Sequence, residues 1–407
     1  MRRPILFLTC LLAIAPISAE DWPQILGPNR DGVYAGVPLA DTWPAAGPPV
    51  LWKHPVGQGL AGVAVVSGRV ILFHRVKNEE VVESLNAVTG KTQWRFAYPT
   101  TYRDDFGFDE GPRAVPVVAD GRVYTFGAEG ELTALELSTG KHLWNVNVMK
   151  RFGVRKGYFG AAGSPLVEGR RVLLNAGGRD QNAGIVAFSA NAGAVLWTAT
   201  DHEPGYSSPT VATLGGTRYA IFLTREGLVG LDPASGAVRF EQRWRARSAA
   251  SVNAATPLVV GDVIFISASY DTGATAVRVA KDTLTSLWES KDVLSNHYAT
   301  SVHADGVLYG FHGRQEFGQS FRAVDLATGR VRWSTDRFGA GSVMLADGRL
   351  LIAHERGDVI LAAATPKAFH QLARASVLSG TVRAFPALAD GVLYLRNDDT
   401  LVALDLK

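Results

Sequence analysis

The chain has 407 residues, 47% hydrophobic and 19% charged, enough for several ordinary domains or for one large repeat array. Its 43 glycines and nine tryptophans, against three methionines, suit many short strands and tight turns better than packed helices. A net charge of +3 without a basic block argues against nucleic acid or an anionic membrane surface as a partner.

Residues 1–19 read as an export signal. Arg2 and Arg3 form a positive start, Ile5 to Ile14 an apolar run, and Ile17-Ser18-Ala19 places a small residue where a signal is cut. The apolar run is shorter than the roughly 20 residues that span a bilayer. The expectation is a chain cleaved after Ala19, periplasmic or secreted, with no integral membrane segment and a net charge near zero. Cys10 lies inside the apolar run, so the mature chain has no cysteine and draws its stability from burial rather than disulfides. Residues 20–47 follow as an N-terminal extension, and residues 48–407 read as a single repeat array.

Two features recur together along that array. The first is a turn pair between apolar runs: Ser67-Gly68, Asp120-Gly121, Glu168-Gly169, Gly215-Gly216, Gly261-Asp262, Asp305-Gly306, Asp347-Gly348 and Asp390-Gly391. Asp-Gly between alternating hydrophobics predicts a hairpin, because the tight turn needs a positive φ that glycine adopts freely. The second is Ala134-Leu135-Glu136-Leu137-Ser138-Thr139-Gly140-Lys141-His142-Leu143-Trp144, which returns from Ala323 to Trp333. Looser copies end at Trp94, Trp197, Phe240, Trp288 and Phe369. Each unit thus supplies four strands: A before the first turn, B after it, C on the Ala-x-Asp element and D on the tryptophan. A spacing of about 40–50 residues with four strands per unit predicts a β-propeller.

The count closes at eight. The last unit stops at Ala403-Leu404-Asp405-Leu406-Lys407 without its tryptophan strand, while Pro48-Pro49-Val50-Leu51-Trp52-Lys53 is a tryptophan strand without a unit. Placing the second beside the first closes an all-β ring of eight four-stranded antiparallel blades, the last completed by an N-terminal strand.

The Ala-x-Asp/Glu-x-x-Thr-Gly-Lys-x-x-Trp element resembles the tryptophan-docking motif of the pyrroloquinoline-quinone-like propellers. That superfamily includes quinoprotein alcohol dehydrogenases and BamB-like outer-membrane assembly propellers. The likeness covers nearly the whole mature chain, and Asp21-Trp22-Pro23-Gln24 with Gly27-Pro28-Asn29-Arg30-Asp31-Gly32 looks like the start of many bacterial members. It implies that Trp52, Trp94, Trp144, Trp197, Trp288 and Trp333 are docking plates between blades.

Propeller geometry puts the plain A–B and C–D turns on one face and the B–C and D–A loops on the other. Glu110, Arg113, Tyr158, Tyr206, Asn253, His297, Tyr298 and Arg383 precede successive A strands, where they are expected to ring the central funnel. The B–C loops add His312, Arg314, His354 and Glu355 on the same face. Polar and aromatic groups gathered at one concave mouth are the pattern of a binding site.

Named chemistries find little support. The mature chain lacks the cysteines that many quinoprotein enzymes place against their cofactor, and it has no Cys-x-x-Cys-His for haem. Quinone-dependent dehydrogenase activity is therefore the least favoured reading; pyrroloquinoline quinone with Ca²⁺ would be its cofactor, and none is expected. No His-Glu-x-x-His and no Gly-x-Ser-x-Gly element is present, so no metal site or catalytic triad is assigned. The expectation is a monomeric scaffold or binding module at the cell envelope, holding a protein or peptide on the D–A and B–C loop face. The alternative is a small-ligand protein or enzyme, for a carbohydrate or acidic metabolite, with its site in the funnel.

Overall fold

The computed structural model describes residues 20–248 and 251–407; the segment read as an export signal lies outside the described residues. The turn chemistry acts locally as its residues dictate. Asp120 and Gly121 have φ of 48° and 71°, and Asp305 and Gly306 have 48° and 79°. Two successive positive φ angles make the tight turn whose twist matches the flanking strands. Such pairs join strands A and B in six of the eight antiparallel blades, the turns at Gly169 and Gly261 having a single positive φ; the first six blades each run four strands in sequence order. The second blade, for instance, runs Val117–Ala119, Arg122–Phe126, Glu131–Glu136 and His142–Asn147.

The ring closes through the N-terminal tryptophan strand. Val50–Pro55 pairs antiparallel with Thr400–Asp405, from Val50 opposite Leu404 to Pro55 opposite Thr400. Trp52 then donates Nε1 to the Ala87 carbonyl of the first blade at 2.9 Å, so one strand joins both ends of the ring.

Every C–D strand pair carries a β-bulge beside its docking position. The extra residue re-aims the next side chain. In the second blade it is Leu143, left exposed, while Trp144 turns inward and is 8% exposed. Docking itself is stereotyped. Trp94, Trp144, Trp288 and Trp333 donate Nε1 to carbonyls of the next blade at 2.7–3.0 Å. Trp197 makes no such bond, yet its indole lies against Gly236 as the indole of Trp94 lies against Gly140. The hydrophobic core is accordingly divided, with a separate cluster between neighbouring blades, such as Phe73 and Val82 against Val123 and Leu135.

Residues 20–47 do not hang free of the ring. Trp22 exchanges backbone hydrogen bonds with Val65 of the first blade, and the Pro23 carbonyl accepts from Val118 of the second. The Arg30 guanidinium, 2% exposed, donates to carbonyls of Pro165 and Pro209, which lead into the third and fourth blades. Val33–Tyr34 then adds a parallel strand to Gly341–Ala346 of the seventh blade, and Tyr34 accepts from Gly391 of the eighth. The segment thereby crosses the bore and ties together blades that are remote in sequence. Ile25 and Leu26 are buried within the bore against Val115.

Candidate functional site

The loops leading into strand A converge on a cup of about 200 Å³ on the D–A and B–C face. Ile25 of the crossing segment contributes to its lining, beside Leu60, Phe159, Val252 and Phe385. The polar groups are Arg113, Tyr206, Ser208, His297 and Arg383 from D–A loops, and Tyr270, Gln315 and Glu316 from B–C loops. Tyr298 lines it as well.

The longest wall is built by residues 100–116, between the first and second blades. Arg75, 3% exposed, anchors this loop by donating to the Tyr102 and Glu110 carbonyls at 2.7 and 3.0 Å. Asp104 accepts from the Phe108 amide at 2.7 Å, and Asp109 accepts from Gly59 and Gly111 at 2.9 and 2.7 Å. Loop side chains bound to backbone in this way hold the loop in one shape. What it presents is apolar: Phe106 and Phe108 are 54% and 62% exposed, stacked 5.9 Å apart, with Phe106 5.4 Å from Phe159. Phe317, 78% exposed, stands on the other side beneath the Arg314 guanidinium.

The charges inside the cup are mostly paired. Arg113 lies 3.3 Å from Asp104 and stacks over Phe159 and Tyr102. Glu316 pairs with Arg314 at 3.0 Å, and Arg314 covers the Tyr270 ring at 4.5 Å. Burial would raise the Glu316 carboxyl, but the Arg314 hydrogen bond and nearby charges hold it below its ordinary range. His297 sits with Nε2 3.0 Å from the Tyr270 hydroxyl and Nδ1 4.0 Å from Glu316. Burial, helped by Arg314 and Arg383, lowers its pKa to about 4, so the ring is neutral at pH 7.

Thus Arg113, Tyr206, His297, Tyr298 and Arg383 meet at one cup. Seven other candidates do not line it. Asn253 donates to the Thr224 and Trp244 carbonyls at 2.7 and 2.9 Å. His312 accepts the Ser295 amide at Nδ1, and His354 is held between the Phe338 carbonyl and the Arg356 amide. Glu110 turns outward to Arg103 and Arg75 at 3.0 and 3.6 Å. Tyr158 packs 5.9 Å from Phe106, behind the rim, and Glu355 closes a backbone turn with Ala340 and Val382. Arg314 acts on the cup through Glu316 and Tyr270 rather than by lining it. Sequence reasoning missed Phe106, Phe108, Phe317 and Ile25. A Phe-Gly-Phe element among Asp104, Asp105 and Asp109 was the available signal, since apolar residues in an acidic loop have no core to serve.

A Ca²⁺–quinone pair does not fit these residues. Ca²⁺ takes about six to eight oxygen ligands, whereas Glu316 is the carboxylate lining the cup and is already paired with Arg314. Among the described residues no group of three or more His, Cys, Asp or Glu is arranged to hold a metal.

The profile of the outer membrane protein assembly factor BamB family matches residues 77–335 and 317–407. A stretch of 86 residues is 34% identical to BamB of Salmonella typhimurium, covering 21% of this chain and 18% of that protein. Another of 133 residues is 29% identical to the dehydrogenase subunit of the quinone alcohol dehydrogenase of Komagataeibacter europaeus, covering 31% and 18%. Each match therefore spans less than a fifth of the relative's length. In fold the chain is similar to the quinohemoprotein alcohol dehydrogenase of Comamonas testosteroni, with a TM-score of 0.70 at 14% identity over 95% of this chain and 80% of that one. BamB of Moraxella catarrhalis gives 0.63 at 16% identity, over 88% and 98%.

Proposed function

The chain belongs to the outer membrane protein assembly factor BamB family, and from that premise we propose that it is a cell-envelope binding module that holds a protein partner on its D–A and B–C loop face. The observation that carries this reading is the coincidence, on one face, of a cup with an exposed aromatic rim. Phe106, Phe108 and Phe317 spend apolar surface on solvent, and such patches on soluble proteins mark interaction sites. The anchored 100–116 loop supports it further, because a rim already held in shape loses little entropy on binding. Size weighs against a large cofactor: about 200 Å³ lies below the roughly 300–1,000 Å³ of small-molecule sites. A cup of that size suits one anchoring side chain. No quinone step enters this reading.

The test is partner capture by the mature chain from envelope extract, with variants on the two faces compared. Phe106→Ser/Phe108→Ser should lose a partner that the native chain recovers. Val88→Ser, at a residue 79% exposed on the opposite face, should keep it. Loss in the Val88→Ser variant with retention in the phenylalanine variant would put the partner on the wrong face and end the proposal.

A further inference from the structure

The seam where the ring closes holds a histidine with two alternative partners. His74, on the second strand of the first blade, is 2% exposed. Its Nδ1 accepts the Gly57 amide at 2.9 Å, so the proton of the neutral ring is on Nε2. That Nε2 has no hydrogen-bond partner and lies 3.6 Å from the Glu83 carboxylate on the next strand. Gly57 belongs to the linker that runs from the closing strand into the first blade, and a Cβ built on it would stand 1.9 Å from the Arg75 carbonyl. The linker is thus pressed onto the strand that carries His74, and the Gln58 carbonyl accepts the Arg75 amide there at 2.7 Å.

The long wall of the loop face is seated on the same linker. Gly59 donates to Asp109 at 2.9 Å, and the Leu60 and Ala61 amides donate to the Pro112 carbonyl at 3.0 Å. A second proton on His74 occupies Nδ1 and sets two N–H groups against each other at Gly57. The imidazolium so formed is drawn to Glu83 instead. Charged neighbours reach this point from each surrounding strand. Arg95, on the fourth strand of the blade, lies 3.7 Å from Glu83, and His54 of the closing strand approaches its other oxygen at 3.4 Å. Arg396 of the eighth blade donates to the Gly57 carbonyl at 2.7 Å and repels a charged ring. Burial, helped by Arg396 and His54, lowers the His74 pKa below its ordinary 6.5, although Glu83 draws it back. The folded chain therefore holds this proton more weakly than the unfolded one. The Gly57 contact is full above pH 6.5 and is lost as pH falls below it. The facing His74 ring keeps the Glu83 carboxyl below its ordinary 4.5, so Glu83 stays charged through that range.

We infer that His74 is an acid-operated latch at the ring seam: protonation exchanges its Gly57 contact for Glu83, frees residues 56–61 and loosens the 100–116 wall seated on them. Trp52 and the pairing of the closing strand still hold the ring shut, so the change is a local opening rather than unfolding. This holds whatever the wall binds.

The experiment is hydrogen exchange of the mature chain read by mass spectrometry from pH 7.5 to pH 5, with rates corrected for the intrinsic pH dependence of amide exchange. Fragments covering residues 56–61 and 100–116 should lose protection several-fold more than fragments of the fourth blade. His74→Asn keeps an acceptor for Gly57 but cannot take up the proton, so it should preserve the protection seen at pH 7.5 and abolish the acid response. Glu83→Gln removes the charge that favours the imidazolium and should move the response to lower pH; a purely structural role for Glu83 would leave that pH unmoved. His54→Gln should leave the response in place. Equal loss of protection in all blades overturns the latch, as does loss at residues 56–61 that leaves 100–116 unaffected. An acid response that survives His74→Asn, or that disappears with His54→Gln, assigns the proton elsewhere and overturns it too. If His74→Asn does not fold, the native pH profile and the Glu83→Gln shift decide alone, and an unmoved profile overturns the inference.

Discussion

Gly140→Ala puts the docking of tryptophan on glycine to a quantitative test. Gly140 has φ of 72°, and a Cβ built on it would stand 2.5 Å from Cε3 of Trp94. Carbon atoms in contact prefer about 3.5–4.0 Å, so the indole must retreat by about 1 Å. That retreat lengthens the 2.9 Å bond from Trp94 Nε1 to the Leu137 carbonyl beyond hydrogen-bonding distance. The positive φ costs alanine about 1–2 kcal/mol, the lost bond about 1 kcal/mol, and the loosened indole contact roughly 1 kcal/mol more. Gly140→Ala should therefore destabilise the chain by about 3–4 kcal/mol. In a Trp94→Ala background the clash and the bond are already gone, and the same change should cost only the backbone term of about 1–2 kcal/mol. A double-mutant cycle by urea unfolding, followed by circular dichroism with the slope checked for constancy, measures the difference. A coupling of about 2 kcal/mol is expected; additivity within about 0.5 kcal/mol would refute the docking account.

Two further predictions concern buried charge. Arg30→Met should destabilise the ring by about 2–4 kcal/mol, because the Pro165 and Pro209 carbonyls lose their donor inside the bore; an unchanged melting temperature would contradict the stapling role of residues 20–47. His297 and His312 have pKa values lowered to about 4, mainly by burial, against an ordinary 6.5. Between those values the unfolded chain binds more protons, so stability should be full above pH 6.5 and fall as pH drops toward 4. His312 faces Arg322, Asp292 and Asp336, and its Nδ1 accepts from Ser295 only when unprotonated. His312→Asn should flatten part of the pH 6.5–4 decline in denaturant midpoints, and an identical decline would refute that assignment.

The ring was legible because its determinants are local. Asp120-Gly121 can be read as a turn from two residues, and Thr139-Gly140 with Trp144 from six. The closing strand was legible because Trp52 lacked a unit and Leu404 lacked a partner. The site was legible only in outline. Residues placed before strand A include Arg113, Tyr206, His297 and Arg383, which line the cup, yet neighbours such as Asn253 turn away to satisfy backbone carbonyls. Which of two adjacent loop residues faces the cup depends on loop conformation, and no periodicity encodes that. Ile25 was hidden for a different reason: its neighbours in space belong to blades almost a hundred residues away and more, joined through Arg30 and Trp22 rather than through any repeat.

The central claim is that a partner sits on the face bearing the cup and its phenylalanine rim. Photo-crosslinking in cells tests it most directly, with p-benzoylphenylalanine placed at position 108 on that face or at position 88 on the opposite one. The account predicts a discrete adduct from position 108 and none from position 88. An adduct from position 88 alone, or none from position 108, would contradict it.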